Sequence, residues 1–300
     1  MTSFLPWSVQ PNLTRCWRRD GVIVMRVALL QLTSSDQPDR NLPHTLDRIR
    51  EAAAAGAGFV LTPEVTNCVS TSRRQQRAVL QSEAQDQTLV ALCDLADKLG
   101  IWLLIGSLAL KTDAVDGRFA NRSFLIAPDG TIHARYDKIH MFDVDVSAKE
   151  TYRESDGFQP GNRAVTAQTP FGMLGLTICY DLRFPGLYRS LALAGAEIFT
   201  VPSAFSPVTG AAHWTALLQA RAIETGCYVL APAQSGTHCA KFGKPRQTFG
   251  HSMAISPWGE ILCDAGVQYS ITYLDLDLDQ VAHARSRIPS LRHSRNFEGP

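Results

Sequence analysis

No uninterrupted apolar stretch in the 300-residue chain approaches the roughly 20 residues that a membrane-spanning helix needs. The best candidate, residues 22–32, is too short and is broken by Arg26. Residues 1–20 lack an apolar core followed by a small-residue cleavage signal, so a secretory leader is not expected in them. Charge of either sign is not in excess. Twenty-nine Lys and Arg against 28 Asp and Glu give a formal net charge of +1, so nothing global favours nucleic acid or a membrane surface. Seven cysteines, at 16, 68, 93, 179, 227, 239 and 263, form neither a CxxC pair nor a Cys/His ligand spacing. That argues against a disulfide framework or a zinc site and for a reducing cytoplasm. No repeat, low-complexity block or Gly/Ser linker divides the chain, and 45% hydrophobic residues suffice for one large core.

What is present centres on Cys179. It ends the apolar run Gly175-Leu176-Thr177-Ile178 and is followed by Tyr180-Asp181-Leu182-Arg183-Phe184-Pro185. The run reads as a buried strand. Charged residues and proline after it make an unlikely core, so the chain is expected to leave the sheet here and expose polar groups around a thiol. A cysteine packed as a small hydrophobe would look the same from its position alone.

Two further segments share this setting. Gly58-Phe59-Val60-Leu61-Thr62-Pro63-Glu64 reads as strand, turn and acid, and Lys138 leaves a hairpin built around Asp129-Gly130. Taken singly, each could be an ordinary surface charge. Together with the thiol they make chemical sense. Glu64 can take the thiol proton as general base, and Lys138 can favour the thiolate and later hold an oxyanion. An ammonium about 4 Å from the sulfur, at an effective dielectric near 20, would contribute about 4 kcal/mol, or around three pKa units before desolvation opposes it. The backbone N–H of Tyr180 is a natural second oxyanion donor.

A Glu, Lys and Cys in this order, within Leu61-Thr62-Pro63-Glu64, Tyr136-Asp137-Lys138-Ile139-His140-Met141-Phe142-Asp143 and Thr177-Ile178-Cys179-Tyr180-Asp181-Leu182-Arg183-Phe184-Pro185, resemble the signature of the nitrilase superfamily of carbon-nitrogen hydrolases. The resemblance extends from about Arg26 to Phe297. It implies an α/β fold, a four-layer α-β-β-α sandwich in a single domain that dimerises. It also implies thioester chemistry on a small-molecule amide, with no metal and no organic cofactor. Glu154, in Thr151-Tyr152-Arg153-Glu154-Ser155, takes the place of the family's second glutamate, which orients the lysine and shares in proton transfer. Thr209 is implied as a substrate contact.

Within the superfamily, Ala220-Arg221-Ala222-Ile223-Glu224-Thr225-Gly226-Cys227-Tyr228-Val229, Ala233-Gln234-Ser235-Gly236 and Gly250-His251-Ser252-Met253 resemble the branch of deaminated glutathione amidases more than the related omega-amidases. One departure is Ala211, where the family usually has proline. The implied reaction is hydrolysis of the terminal amide of a carboxylate-bearing 2-oxo acid with release of ammonia. A cation should therefore stand near the thiol. Arg183 is the candidate, its planar fork matching a carboxylate, with an internal pair to Asp181 as the alternative. The segment 236–248 adds Lys241, Lys244 and Arg246 without an acid, either for a distal carboxylate or as a solvated basic loop. An omega-amidase and an N-carbamoyl-amine hydrolase are the nearest rivals. Outside the enzyme class stand a thiol redox protein and a binding protein on the same scaffold.

The coarse order of elements is alternating. Strands are expected over 26–32, 59–61 and 102–107, with helices over 42–55 and 88–99, so a β-α-β-α-β pattern opens the fold. A hairpin of 123–126 and 132–136 follows, then the strand before Cys179, a helix over 187–194 and a strand over 197–201. A helix over 214–224, a strand over 228–231 and strands over 253–256, 260–263 and 271–274 close a hydrolase domain of residues 25–300. Residues 1–24 are expected to be a disordered extension, or to precede a true start at Met25.

Overall fold

A strand apolar at every position must be covered on both faces, and Trp102–Leu110 is buried at all nine. The computed structural model describes residues 16–19, 22–147 and 150–299, and in it this strand lies inside a layered sandwich. The strands are, in chain order, β1 (Cys16–Arg19), β2 (Val22–Gln31), β3 (Phe59–Leu61), β4 (Trp102–Leu110), β5 (Ala120–Ile126), β6 (Ile132–Asp137), β7 (Asp143–Ser147), β8 (Glu150–Arg153), β9 (Val165–Thr169), β10 (Gly172–Leu176), β11 (Ile198–Thr200), β12 (Tyr228–Ala231), β13 (Ser235–His238), β14 (Arg246–Phe249), β15 (Met253–Ile255), β16 (Ile261–Asp264) and β17 (Ser270–Asp277). The helices are α1 (Pro38–Ala54), α2 (Arg73–Val79), α3 (Gln87–Leu99), α4 (Pro185–Leu193), α5 (Pro207–Thr225) and α6 (Asp279–Arg287).

Strands β1 to β6 form one sheet in sequence order, with β17 also paired to β2; a second sheet runs β16-β15-β12-β11-β10-β9. Side chains alternate across each strand, and that period sorts the core into layers. Val27, Leu29, Phe59, Leu61 and Leu104 meet Leu174 and Leu176 of the second sheet. Their neighbours Ala28, Leu30, Val60, Leu103 and Ile105 pack instead with Ile49 of α1 and Leu92 of α3. Tyr188 and Leu191 of α4, with Trp214 and Leu218 of α5, join the core of the second sheet. The result is the four-layer α-β-β-α sandwich.

Sheet direction explains why distant segments converge. Strand β3 is parallel to β4, while β5 is antiparallel to β4 and β6 to β5, so β6 points the same way as β3. Both therefore end at one edge of their sheet. In the second sheet β10 is parallel to β11, and the two sheets approach closely beneath these ends. Gly106 marks the approach: a Cβ there would collide with the Thr62 carbonyl from one sheet and the Pro202 ring from the other.

Several boundaries differ from the sequence expectation for identifiable reasons. Helix α1 begins at Pro38 rather than residue 42, since proline is accommodated in the first turn. Helix α5 begins at Pro207 rather than 214; Ser206 caps it by accepting from the Thr209 N–H, and Gly210 lets the Phe249 ring pack against the helix. The short helix α2, capped by Ser72, carries little apolar periodicity and was not expected. Of the segment 1–24, residues 1–15, 20 and 21 lie outside the described residues, while Cys16–Arg19 pairs antiparallel with Val22–Met25.

Candidate active site

Glu64 stands three residues beyond β3, Lys138 directly after β6, and Cys179 three residues beyond β10. The strand before Cys179 stops at Leu176, and Cys179 itself opens a 3-10 helix, Cys179–Arg183. Its φ is +50°, and Val65, beside Glu64, has φ +46°. Left-handed backbone is unfavourable at a side-chain-bearing residue, most of all a β-branched one, so both turns are strained where they deliver a reactive group. At the start of this helix the Cys179 N–H donates to the Pro202 carbonyl (3.0 Å) and the Asp181 N–H to the Ile178 carbonyl (3.1 Å). The Tyr180 N–H lies between them, in the first turn, where helical N–H groups lack partners within the helix.

Lys138 is only 2% exposed and is clamped by two acids. Its Nζ donates to Glu64 Oε1 at 2.8 Å and to both oxygens of Glu154 at 2.9 Å. Glu154, in a 3-10 turn after β8, also accepts from the Phe142 N–H (2.7 Å). Asn121 of β5 donates through Nδ2 to Glu64 Oε1 (2.9 Å). The Cys179 thiol lies near enough to the Glu64 carboxylate and to the Ala204 N–H to interact electrostatically with both.

The charges set the resting protonation. Burial alone would raise Glu64, but the charge and hydrogen bond of Lys138, with Arg246 farther off, hold it below the usual carboxylate range. Burial alone would lower Lys138, yet Glu154 and Glu64 hold it above the ordinary lysine value. The Cys179 thiol is driven well up, first by burial and then by the Glu64 charge, and Lys138 only partly opposes this. The expectation that the ammonium would favour a resting thiolate is therefore corrected. Two carboxylates already neutralise Lys138, so the cluster carries net negative charge and a thiolate would add to it.

Asp181 is a second correction. Rather than an exposed polar group or a partner of Arg183, it is wholly buried. Its oxygens accept from Tyr136 Oη (2.6 Å), the His140 N–H (3.0 Å) and the Ile178 N–H (2.9 Å), and Oδ1 lies 2.7 Å from His140 Nδ1. These bonds tie the Cys179 turn to the segment carrying Lys138. Four partners make the burial of this acid tolerable.

A cavity of about 240 Å³ opens over the cluster. Glu64, Lys138, Glu154, Cys179, Tyr180 and Thr209 line it, together with Asn121, Arg73, Arg153 and Arg246. Arg183 does not. Its guanidinium lies over the rings of Tyr180 and Phe205, which do form wall, and approaches His213 Nδ1 at 3.3 Å. Of the basic segment 236–248, Arg246 alone reaches the cavity; it donates to the Ala204 carbonyl (2.6 Å), and its Nε is buried without a partner. Arg73, whose pKa is depressed by burial, donates to Gln76 and to the Glu154 carbonyl. Sequence reasoning passed over Arg73 and Asn121. Asn121 gave no such signal, since it stands in the polar run Asn121-Arg122-Ser123 ahead of the strand expected over 123–126, and only its burial within β5 sets it apart.

A thiol, a carboxylate and a buried lysine converge at the seam of an α-β-β-α sandwich, a constellation suited to a hydrolase. The sequence profile described as carbon-nitrogen hydrolase matches residues 26–286, and the chain belongs to that family. It is 39% identical over 277 residues to a deaminated glutathione amidase of Yersinia enterocolitica, covering 90% of this chain and 92% of that one. It is 36% identical over 271 residues to the human omega-amidase NIT2, covering 90% and 95%. Among solved structures, the C. elegans NitFhit protein superposes with a TM-score of 0.82 at 33% identity, over 91% of this chain and 65% of that one. The present chain thus spans about two thirds of the NitFhit polypeptide. The protein is an enzyme that hydrolyses carbon-nitrogen bonds, and among the described residues no helix is long and apolar enough to cross a membrane.

Proposed function

We propose that this enzyme is an amidase acting through a thioester on Cys179, and that its substrate is a 2-oxo acid amide bearing a carboxylate, deaminated glutathione before 2-oxoglutaramate. The observation that carries the reading is Lys138, buried between Glu64 and Glu154 beside a protonated thiol. Because the thiol rests protonated, its proton passes to Glu64 as the sulfur attacks the amide carbon. One Lys138 N–H serves Glu64 and a second is shared by the two oxygens of Glu154, so the third meets the oxyanion together with the Tyr180 N–H. Collapse breaks the C–N bond, Glu64 returns the proton to nitrogen, and the thioester remains. Water, deprotonated by Glu64, then releases the acid and restores the thiol. Atoms and protons balance without a redox or metal step. Glu154 keeps Lys138 in place throughout.

For a short oxo-amide the leaving group is ammonia. In deaminated glutathione the amide joins the oxo-acyl half to the amino end of a dipeptide, so the leaving group is an amine. Arg73, Arg153 and Arg246 in the wall support a substrate with carboxylates. Thr209 is placed in this reading as a substrate contact, and Arg183 as a group acting through the Tyr180 and Phe205 rings. The reading includes a homodimer, supported by exposed Leu193, Ile223 and Ile288, and a cytoplasmic setting, supported by free Cys68, Cys93, Cys227, Cys239 and Cys263. The test is turnover of deaminated glutathione, 2-oxoglutaramate and an N-carbamoyl amino acid side by side, with mass spectrometry of the quenched enzyme. The expected result is the highest kcat/KM for deaminated glutathione and an acyl adduct on Cys179. Preference for the carbamoyl compound, or turnover without an adduct, overturns the reading.

A further inference from the structure

Asn121 has no place in the three-residue scheme, yet it touches all of its acid-base part. Its backbone carbonyl accepts from the Lys138 N–H at 3.0 Å. Its side-chain Nδ2 lies 2.9 Å from Glu64 Oε1 and 3.4 Å from Glu154 Oε1, so a single uncharged donor spans both carboxylates that hold Lys138. The residue is 2% exposed, and its Oδ1 is buried with no hydrogen-bond partner. The amide cannot improve on this by flipping, because Oδ1 would then face two carboxylate oxygens. A buried acceptor left unpaired is a standing cost to the fold. Asn121 is therefore held in this orientation by the acids it serves.

The consequence falls on Glu64. Its Oε1 takes both Lys138 and Asn121, and the neighbouring Cys179 thiol interacts with the same carboxylate. With Oε1 saturated, Oε2 is the oxygen left to face the sulfur. A donor to the ionised form also favours that form, and a neutral donor does so without adding positive charge that would compete with Lys138. We propose that Asn121 is a positioning residue of this hydrolase: it fixes the Glu64 carboxylate so that Oε2 is the base, and it keeps that carboxylate ionised. The proposal rests on Glu64 acting as base toward Cys179, but on no particular substrate.

The test reads the Glu64–Cys179 pair in two ways. Asn121→Leu removes the donor while keeping the branched shape, and Asn121→Ser, shorter and polar, serves in case the leucine variant fails to fold. The expected result for either is a fall in kcat of about 10-fold to 100-fold, as for loss of a general-base contribution, with KM little changed. The acidic limb of the kcat/KM profile should move upward, because Glu64 loses a bond that favours its charged form. Alkylation of Cys179 by chloroacetamide should slow in parallel and show the same upward shift of its acid limb. A variant that folds and loses activity with both limbs unmoved overturns the proposal and leaves Asn121 a packing residue. Since alkylation needs no substrate, a shifted alkylation limb in an enzyme inactive on oxo-amides would uphold the role of Asn121 while sinking the proposed substrate.

Discussion

The two sheets equip the site in opposite ways. The first supplies Glu64, Lys138 and Asn121, a set of buried polar groups that bond chiefly to one another and to Glu154. The second supplies Cys179, on strained backbone, with a thiol that rests protonated. The acid-base half is over-determined and the nucleophilic half is poised. In the proposed mechanism an already neutralised lysine does not hold a thiolate, and reactivity comes from a base that accepts the proton at the moment of attack. Rigidity on one side thus makes an inert resting thiol on the other compatible with catalysis.

The comparison breaks most completely at the sulfur. Cys179→Ala should remove turnover by about 10⁴-fold or more, as losses of covalent nucleophiles do, while the thermal midpoint changes little, because the substitution removes a single buried atom from the core. A progress curve at high enzyme concentration and a melting curve check this. Lys138→Met should act on both halves. It leaves Glu64 and Glu154 facing each other in a buried site, which costs about 3–5 kcal/mol of stability for a broken buried pair, and it removes an oxyanion donor worth about 10²–10³ in kcat. Urea unfolding of Lys138→Met beside the double variant Lys138→Met/Glu154→Gln separates the effects. The double variant should regain much of the stability and none of the activity; equal instability of the two would mean that the carboxylates do not repel.

Much of this site was legible in the chain, and the missing part has a common cause. Glu64, Lys138 and Cys179 each follow an apolar run, and a run that ends in a charged residue or a thiol is visible as a strand exit. Asp181 was misread for the same reason: a carboxylate after a strand looks like solvent, whereas here Tyr136, His140 and the Ile178 N–H, 45, 41 and three residues away in sequence, meet it in the interior. The thiol pKa was misjudged because a pairwise estimate with Lys138 omits the two acids that neutralise it. Arg246 was found as a charge in a loop, but only the pairing of β13 with β14 separates it from Lys241 and Lys244. Alternation of apolar residues gave the layers, while helix starts at Pro38 and Pro207 were hidden because proline reads as a break.

Asp181 offers the next test of the contrast. Asp181→Asn keeps the shape but loses charge, and its amide cannot accept all four contacts, so a loss of about 2–4 kcal/mol is expected from charge-assisted bonds and a stranded donor. Chemical denaturation measures it. If the Cys179 turn depends on Asp181 as the geometry implies, kcat should fall while the acidic limb set by Glu64 stays in place, the reverse of the pattern expected for Asn121 variants.

The smallest effect is a missing one. An isolated thiol titrates near pH 8.5, whereas burial and Glu64 push Cys179 well above that. The ultraviolet thiolate signal of the wild type minus that of Cys179→Ala should therefore show no step in the pH 7–10 region expected of an ordinary thiol. The carboxylate end runs the other way. In the proposed reaction Glu64 works as an anion, and its pKa is depressed, so kcat/KM should stay level as pH falls through the ordinary carboxylate value of about 4.3 and decline only below it, as Glu64 takes up its proton. A thiolate step near neutrality, paired with an acid limb above pH 5, would describe a resting thiolate whose proton has already moved. That outcome would place the resting negative charge on sulfur and dissolve the contrast between the two sheets.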